Sequence, residues 1–97
     1  MVLEIAQFTA QPDKAGELRD GLLRGLGVIR RASGCRSATL HHCVEEPDRF
    51  IYEIEWETLN DHIVTFRGGP LFAEYRAQIN GLFTEPVIVH HYERVEG

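Results

Sequence analysis

The sequence predicts an α+β fold: four strands and two helical elements in the order βαββαβ, forming one antiparallel sheet with both helices on the same face. Three observations carry this reading. Segments with strand-like patterning open and close the chain, two more sit side by side at its centre, and stretches of helical spacing fill the two gaps. Residues 1–97 are expected to be a single domain, because a chain of this length with 43% hydrophobic residues supplies one core and no second.

The first strand is Val2 to Ala10, rich in β-compatible residues and ended by Gln11-Pro12-Asp13, where the proline and a capping aspartate mark a helix start. From Asp13 to about Ala32, Leu18, Leu22, Leu26 and Ile29 recur at helical spacing, with Glu17, Arg19, Asp20, Arg24 and Arg31 mostly on the other side. Ser33-Gly34 closes this amphipathic helix. It also carries Gly16, Gly21, Gly25 and Gly27, each costing about 1 kcal/mol relative to alanine in a helix interior, so tertiary packing must hold it. Gly21 and Gly25 either let another element approach closely or leave room for a ligand.

Cys35 to Val44 and Arg49 to Glu57 read as an antiparallel pair joined by the polar connection Glu45-Glu46-Pro47-Asp48. In the second of them Phe50, Tyr52, Ile54 and Trp56 share one face, and Ile51, Glu53, Glu55 and Glu57 the other. Thr58 caps a short helix running to Arg67, and Gly68-Gly69 breaks it. Pro70 then suits the first position of a new helical stretch that turns Leu71, Phe72, Tyr75 and Ile79 inward. After Gly81 and Pro86, the β-branched run Val87 to Arg94 is the last strand.

Right-handed crossovers in this order give a split βαβ sheet with one face left bare. A second copy of the chain is expected to cover that face, and a small domain with a pocket cut into its core gains most from such a partner.

Composition excludes several functions. A net charge of -5 with scattered basic residues gives no grip on a phosphate backbone, so no nucleic acid is expected. No apolar run approaches the ~20 residues that span a bilayer, and MVLEIAQF lacks the basic start of a signal peptide; no membrane association and a cytoplasmic location are expected. Cys35 and Cys43 are separated by about 26 Å if they share one strand, which makes them reduced thiols. The chain has no CxxC pair, zinc spacing or phosphate-binding glycine loop. The pairs His41-His42 and His90-His91, with Cys43, hint at a metal. Neighbouring strand residues point to opposite faces, however, and the two pairs lie on opposite sheet edges, so no metal site is expected without a second subunit.

The stretch RFIYEIEWETLNDHIVTFRGGPLF, residues 49–72, has a strand ending Glu-x-Glu-Trp-Glu, a Thr cap, a histidine soon after, and Pro-Leu-Phe opening the next helix. Together with the start MVLEIAQFTAQPDKAGEL and the element order, it resembles the antibiotic biosynthesis monooxygenase-like family of dimeric α+β barrel proteins. The resemblance implies a ferredoxin-like protomer, a homodimeric barrel, and a pocket in each subunit between helices and sheet. It does not fix a reaction, since that family spans quinone-forming monooxygenases without flavin or metal, haem-degrading enzymes, and isomerases of small metabolites. The haem-degrading branch uses a tryptophan and a haem-ligating histidine in the second helical region and an asparagine on the first strand. Here the only tryptophan is on a strand, Pro70 to Gly81 holds no histidine, and the first strand offers Gln7. The quinone-forming branch uses a strand tryptophan, nearby polar side chains and an arginine, which Trp56 and Arg76 can match. Tyr52 stands where that branch can carry asparagine, and His62 where it can carry tyrosine.

Among the residues themselves, His62 lies one turn into a helix close to Trp56, where an imidazole could act as general base near neutral pH or simply bond nearby backbone. Trp56 packs a large ring and could donate its indole N–H to a substrate oxygen. Arg76 could anchor an anionic or enolate-like oxygen or make a surface ion pair. As neighbours on a helix, Tyr75 and Arg76 point about 100° apart, so one is expected to face out. Tyr52 and Tyr75 are core residues with a wetted hydroxyl or proton donors, and Phe66, Phe72 and Phe83 an apolar wall. Such a pocket suits a small hydrophobic or aromatic substrate. The reading is therefore a homodimeric, cofactor-independent monooxygenase of a phenolic or quinol-type molecule. His62, Trp56 and Arg76 are its catalytic candidates, and Tyr52, Phe66, Phe72 and Tyr75 its substrate-binding ones. The alternatives are a non-catalytic small-molecule-binding dimer and an isomerase of a small carbonyl metabolite.

Overall fold

The structure is a computed structural model describing residues 1–97. Its elements follow the expected order: β1 (Val2–Ala10), α1 (Ala15–Ile29), β2 (Cys35–His42), β3 (Arg49–Trp56), a π-helical segment (Asp61–Phe66), α2 (Pro70–Ala77) and β4 (Phe83–Tyr92). The sheet order is β2-β3-β1-β4, with every neighbouring pair antiparallel. This is the ferredoxin-like arrangement, in which the two central strands, β1 and β3, are separated in sequence by α1 and the edge strand β2.

Alternation along the strands decides what faces the helices. Ala6, Phe8 and Ala10 of β1 and Phe50, Tyr52, Ile54 and Trp56 of β3 are buried on one face, and Leu18, Leu22, Leu26 and Ile29 of α1 close over them. Burying each of the large side chains contributes about 1.5–3 kcal/mol. Glu4 shares this inward register on β1 and is only 4% exposed. On the opposite face Leu3, Ile5, Ile51, Ile88 and Tyr92 are covered by no element of the chain, and Ile88 and Tyr92 are openly exposed.

The helix glycines divide into two kinds. A Cβ on Gly21 would strike the carbonyl oxygen of Gln78, and one on Gly25 would come within 2.6 Å of the Tyr52 hydroxyl, so both glycines admit close packing. Gly16 and Gly27 face open space. Across the helix pair, Arg24 donates to the Gln78 side chain at 3.1 Å and Arg31 bonds Glu74.

Three local features differ from expectation. Asp13 does not cap α1: it sits at φ 63, in a left-handed turn, and the helix starts after Lys14 without a side-chain cap. Thr58 does cap its helix, through a reciprocal pair in which its Oγ1 accepts from the Asp61 N–H at 3.2 Å and its own N–H donates to Asp61 Oδ2 at 3.0 Å. The winding that follows is π-helical, with the Arg67 N–H donating to the His62 carbonyl five residues back at 3.1 Å. Finally, β4 begins at Phe83, before Pro86. Its register jumps from Gln7↔Ile88 to Thr9↔Thr84, so β4 bulges over Glu85–Val87, where an edge strand tolerates proline. No helix is long and apolar enough to cross a membrane.

Candidate active site

Between sheet and helices lies a cavity of about 270 Å³, near the lower end of small-molecule sites. Phe8 and Tyr52 form its floor, Phe66, Phe72 and Tyr75 its helical wall, and the β4 bulge part of its rim. The aromatic rings hold one another in place: Phe66 meets Phe72 edge-on at 5.7 Å, and Phe8 meets Tyr52 edge-on at 5.4 Å. Tyr52 donates its hydroxyl to the Leu22 carbonyl, which fixes its ring upright beneath Gly25. Burial raises the pKa of both tyrosines above the ordinary phenol value.

His62 is brought in by the capped turn and π-helical winding, which bury it with Phe66 while Ile63 and Val64 remain exposed. Its ring lies flat on Trp56. Nε2 is 3.4 Å from Oε1 of Glu4, and Nδ1 is 2.7 Å from Nε2 of His91 on β4. Burial, followed by Arg67 and His91, lowers the His62 pKa to about 4, so the ring is neutral at neutral pH. The same Oε1 of Glu4 accepts the Trp56 indole N–H at 2.9 Å. Desolvation raises the Glu4 pKa, against the lowering effects of that hydrogen bond and of Arg67.

Of the seven residues singled out in the sequence, six line the cavity: His62, Arg76, Tyr52, Phe66, Phe72 and Tyr75. Trp56 does not. It is wholly buried behind Glu4, and its N–H is already engaged there rather than aimed at a substrate oxygen. Tyr75 and Arg76 both reach the cavity, contrary to the expectation that one would face out. Tyr75 is buried within the wall, while the longer Arg76 crosses the Phe83 ring at 5.1 Å and Phe72 at 5.8 Å to the rim. Its Nε is buried with no hydrogen-bond partner, and its head group is 3.9 Å from Glu85.

Glu4 and Arg67 are absent from the sequence reading of the site, and His91 enters it only through the pair His90-His91, weighed as a metal ligand. Period two in β1 places Glu4 with Ala6 and Phe8, a signal that was readable; the approach of His91 to His62 depends on the β1–β4 register, which pairs Glu4 with His91. The remaining histidines serve elsewhere. His42 stacks on Phe50 at 4.6 Å and donates to the Pro47 carbonyl at 2.7 Å, and His41 lies 3.5 Å from Glu53. No three His, Cys, Asp or Glu side chains are grouped as metal ligands.

Comparison with known proteins places this geometry in context. The family model for antibiotic biosynthesis monooxygenases matches residues 1–78, a span that stops short of β4. The chain is 30% identical to YczJ of Bacillus subtilis over 95 residues, covering 98% of this chain and all of that protein. It is 33% identical to Rv0793 of Mycobacterium tuberculosis, a candidate monooxygenase, over 91% of this chain and 85% of that one. A crystal structure of a candidate antibiotic biosynthesis monooxygenase from Bordetella bronchiseptica superposes with a TM-score of 0.92 at 34% identity, over 98% of this chain and 97% of the other.

Proposed function

The chain belongs to the antibiotic biosynthesis monooxygenase family, and from that premise we propose that it is a cofactor-independent monooxygenase of a phenolic or quinol-type molecule, working as a homodimer. We take residues 1–97 as one such domain, since β4 pairs with β1 and rims the cavity. The observation that carries the reading is the joining of an aromatic cavity to a buried acid–base pair, Glu4 and His62, on one side and to the part-buried Arg76 on the other.

In this reading Phe66, Phe72, Tyr52 and Tyr75 hold a flat substrate, and Arg76 stabilises the oxyanion formed when it loses a proton. The Glu4–His62 pair takes that proton, leaving an electron-rich carbon that gives an electron to dioxygen. A new carbon–oxygen bond then forms a hydroperoxide, whose O–O bond breaks with loss of water. A methylene carbon thus becomes a carbonyl, and one dioxygen supplies the carbonyl oxygen and the water. Trp56 acts by holding Glu4 and stacking on His62.

The test is oxygen uptake with a panel of anthrones and quinols, with one equivalent of dioxygen consumed per product. Absence of uptake alongside base-catalysed exchange of a substrate C–H would favour the isomerase instead.

A further inference from the structure

In a chain with 15 acidic and ten basic residues, every Lys and Arg side chain but two makes an ion pair or hydrogen bond, and the two without a partner are Arg67 and Arg94. Arg94 lies beyond β4 in the exposed C-terminal segment. Arg67 instead lines the cavity. We propose that Arg67 receives a carboxylate of the substrate. The molecule is then a hydroxyaromatic acid, with its carboxylate at one end of the cavity and its phenolic oxygen at the other, beside Arg76.

The chain sets Arg67 at a corner. It caps the π-helical segment, and Gly68-Gly69 turn the backbone directly into α2. A Cβ on Gly68 would stand 2.7 Å from the Val64 carbonyl oxygen and one on Gly69 2.8 Å from that of Thr65, so this reversal leaves no room for a side chain. The acid that shares this end of the cavity, Glu4, does not neutralise Arg67. It is buried at 4% exposure and takes the Trp56 indole N–H instead.

The two arginines reach the cavity from different ends. Behind desolvation, and for Glu4 the Trp56 hydrogen bond, the field of Arg67 acts on Glu4, His62 and His91, whereas that of Arg76 acts on Tyr75. Across β1 and β4, His91 pairs with Glu4, while Phe83, which lies under Arg76, pairs with Ala10. Glu4 and Phe8 both line the cavity, which at about 3.3 Å per residue gives it a length along β1 of about 13 Å. A flat aromatic molecule can therefore present an oxygen to each arginine. One guanidinium balances one negative charge, and its planar fork of donors matches a carboxylate.

The carboxylate site rests on the proposed reaction only for the phenolic end, and binding tests it without oxygen chemistry. The probe 6-hydroxy-2-naphthoate carries a phenol and a carboxylate at opposite ends of a flat two-ring frame, and 6-hydroxy-2-naphthamide keeps the shape without the charge. Calorimetric titration of the whole protein should find the naphthoate bound roughly tenfold tighter than the amide, or more. That advantage should vanish in Arg67→Gln, return in part in Arg67→Lys and persist in Arg76→Gln. The amide should bind Arg67→Gln as it binds the unsubstituted protein, a readout that a general collapse of the cavity would move. Equal affinity of the two probes for the unsubstituted protein, an advantage that survives Arg67→Gln, or one lost in Arg76→Gln alone would each overturn the site. Discrimination through Arg67 in a protein that takes up no oxygen with any quinol would uphold the carboxylate site and sink the oxygenase. Oxygen uptake with uncharged quinols and no preference between the probes would do the reverse.

Discussion

His62 lies flat against Trp56, with ring centroids 5.2 Å apart and planes 11° from parallel, while the indole N–H of the same tryptophan reaches Glu4. One fully buried ring thus supports both members of the acid–base pair. Trp56→Phe keeps an aromatic surface under His62 but leaves a buried carboxylate without its donor. The expected loss is about 1–3 kcal/mol of folding stability at neutral pH. Because the lost hydrogen bond is one that lowers the Glu4 pKa, the difference from the unsubstituted protein should narrow on acidification, when the carboxyl is protonated in both. Urea denaturation followed by circular dichroism at two pH values measures this, and a pH-independent difference would mean that the bond to Glu4 contributes nothing.

The buried pair also sets how stability responds to pH. The His62 pKa falls from 6.5 unfolded to about 4 folded, so between those values the unfolded chain binds the extra proton. Stability is fully present above about 6.5 and falls as pH drops toward 4, by up to about 1.4 kcal/mol per pH unit for one proton. His91 acts in the same direction. Glu4, with its pKa raised, acts oppositely: its folded form holds the proton longer, so its contribution to stability declines as pH rises above 4.5. Glu4→Gln removes that offset, and the fall in stability between pH 6.5 and 4.5 should become steeper. An unchanged slope in stepwise urea titrations would show that Glu4 has an ordinary pKa.

Two glycines of α1 should respond in opposite ways to alanine. Gly27 faces open space on the exposed side of the helix, so Gly27→Ala should stabilise by about 0.5–1 kcal/mol through helix propensity. At Gly21 the new methyl would collide with the backbone carbonyl of Gln78, which cannot swing away as a side chain could. Gly21→Ala should therefore cost about 1–3 kcal/mol, overpacking outweighing the propensity gain. Thermal melts of the two variants decide it, and stabilisation by both would mean that α1 and α2 are not held at this distance.

Much of this architecture is legible in the sequence because it rests on local pattern. The leucines of α1, the alternation Phe50-Tyr52-Ile54-Trp56 and the Thr58 cap each act within a few residues, and each is found where its spacing puts it. His62 is legible too, through its position just past the strand tryptophan. The partners of His62 are not, because they come from strands 58 and 29 residues away in the chain, as the separations of Glu4 and His91 from position 62 show. One carboxylate among 15 acidic residues reveals its burial only once β1 is given a face, and His91 meets His62 only through a register fixed by the fold. The reach of Arg76 is hidden for another reason: the angle between helix neighbours describes Cβ directions, and a guanidinium carried over Phe83 at the end of a long stem need not follow them.

The open sheet face predicts how copies associate. Leu3, Ile5, Ile51 and Ile88 share the face that no helix covers, and sheet-on-sheet burial there would remove them from water. Sedimentation equilibrium should find a dimer at micromolar concentration, and Ile51→Lys, placing a charge amid that face, should shift it toward monomer by tenfold or more in dissociation constant, about 1.4 kcal/mol or more. A monomeric parent protein would remove the homodimer from the proposed function.

Arg76 offers the most direct test of oxyanion stabilisation. Its guanidinium lies over Phe72 and Phe83, its Nε is buried without a partner, and Glu85 at 3.9 Å is too loose and too exposed to use that donor. A phenolate or enolate oxygen at the cavity rim would complete it with a charge-assisted bond. Arg76→Gln keeps a polar side chain of shorter reach and removes the charge. Its stability cost should stay near 1 kcal/mol, the scale of a cation–π contact at a partly exposed site. Its effect on catalysis should be larger: kcat should fall by roughly 100-fold, about 2.7 kcal/mol, with KM changed far less, since the negative charge is greatest after deprotonation. A rise in KM with kcat unchanged would assign Arg76 to ground-state binding of an anionic substrate and move the oxyanion contact elsewhere in the cavity.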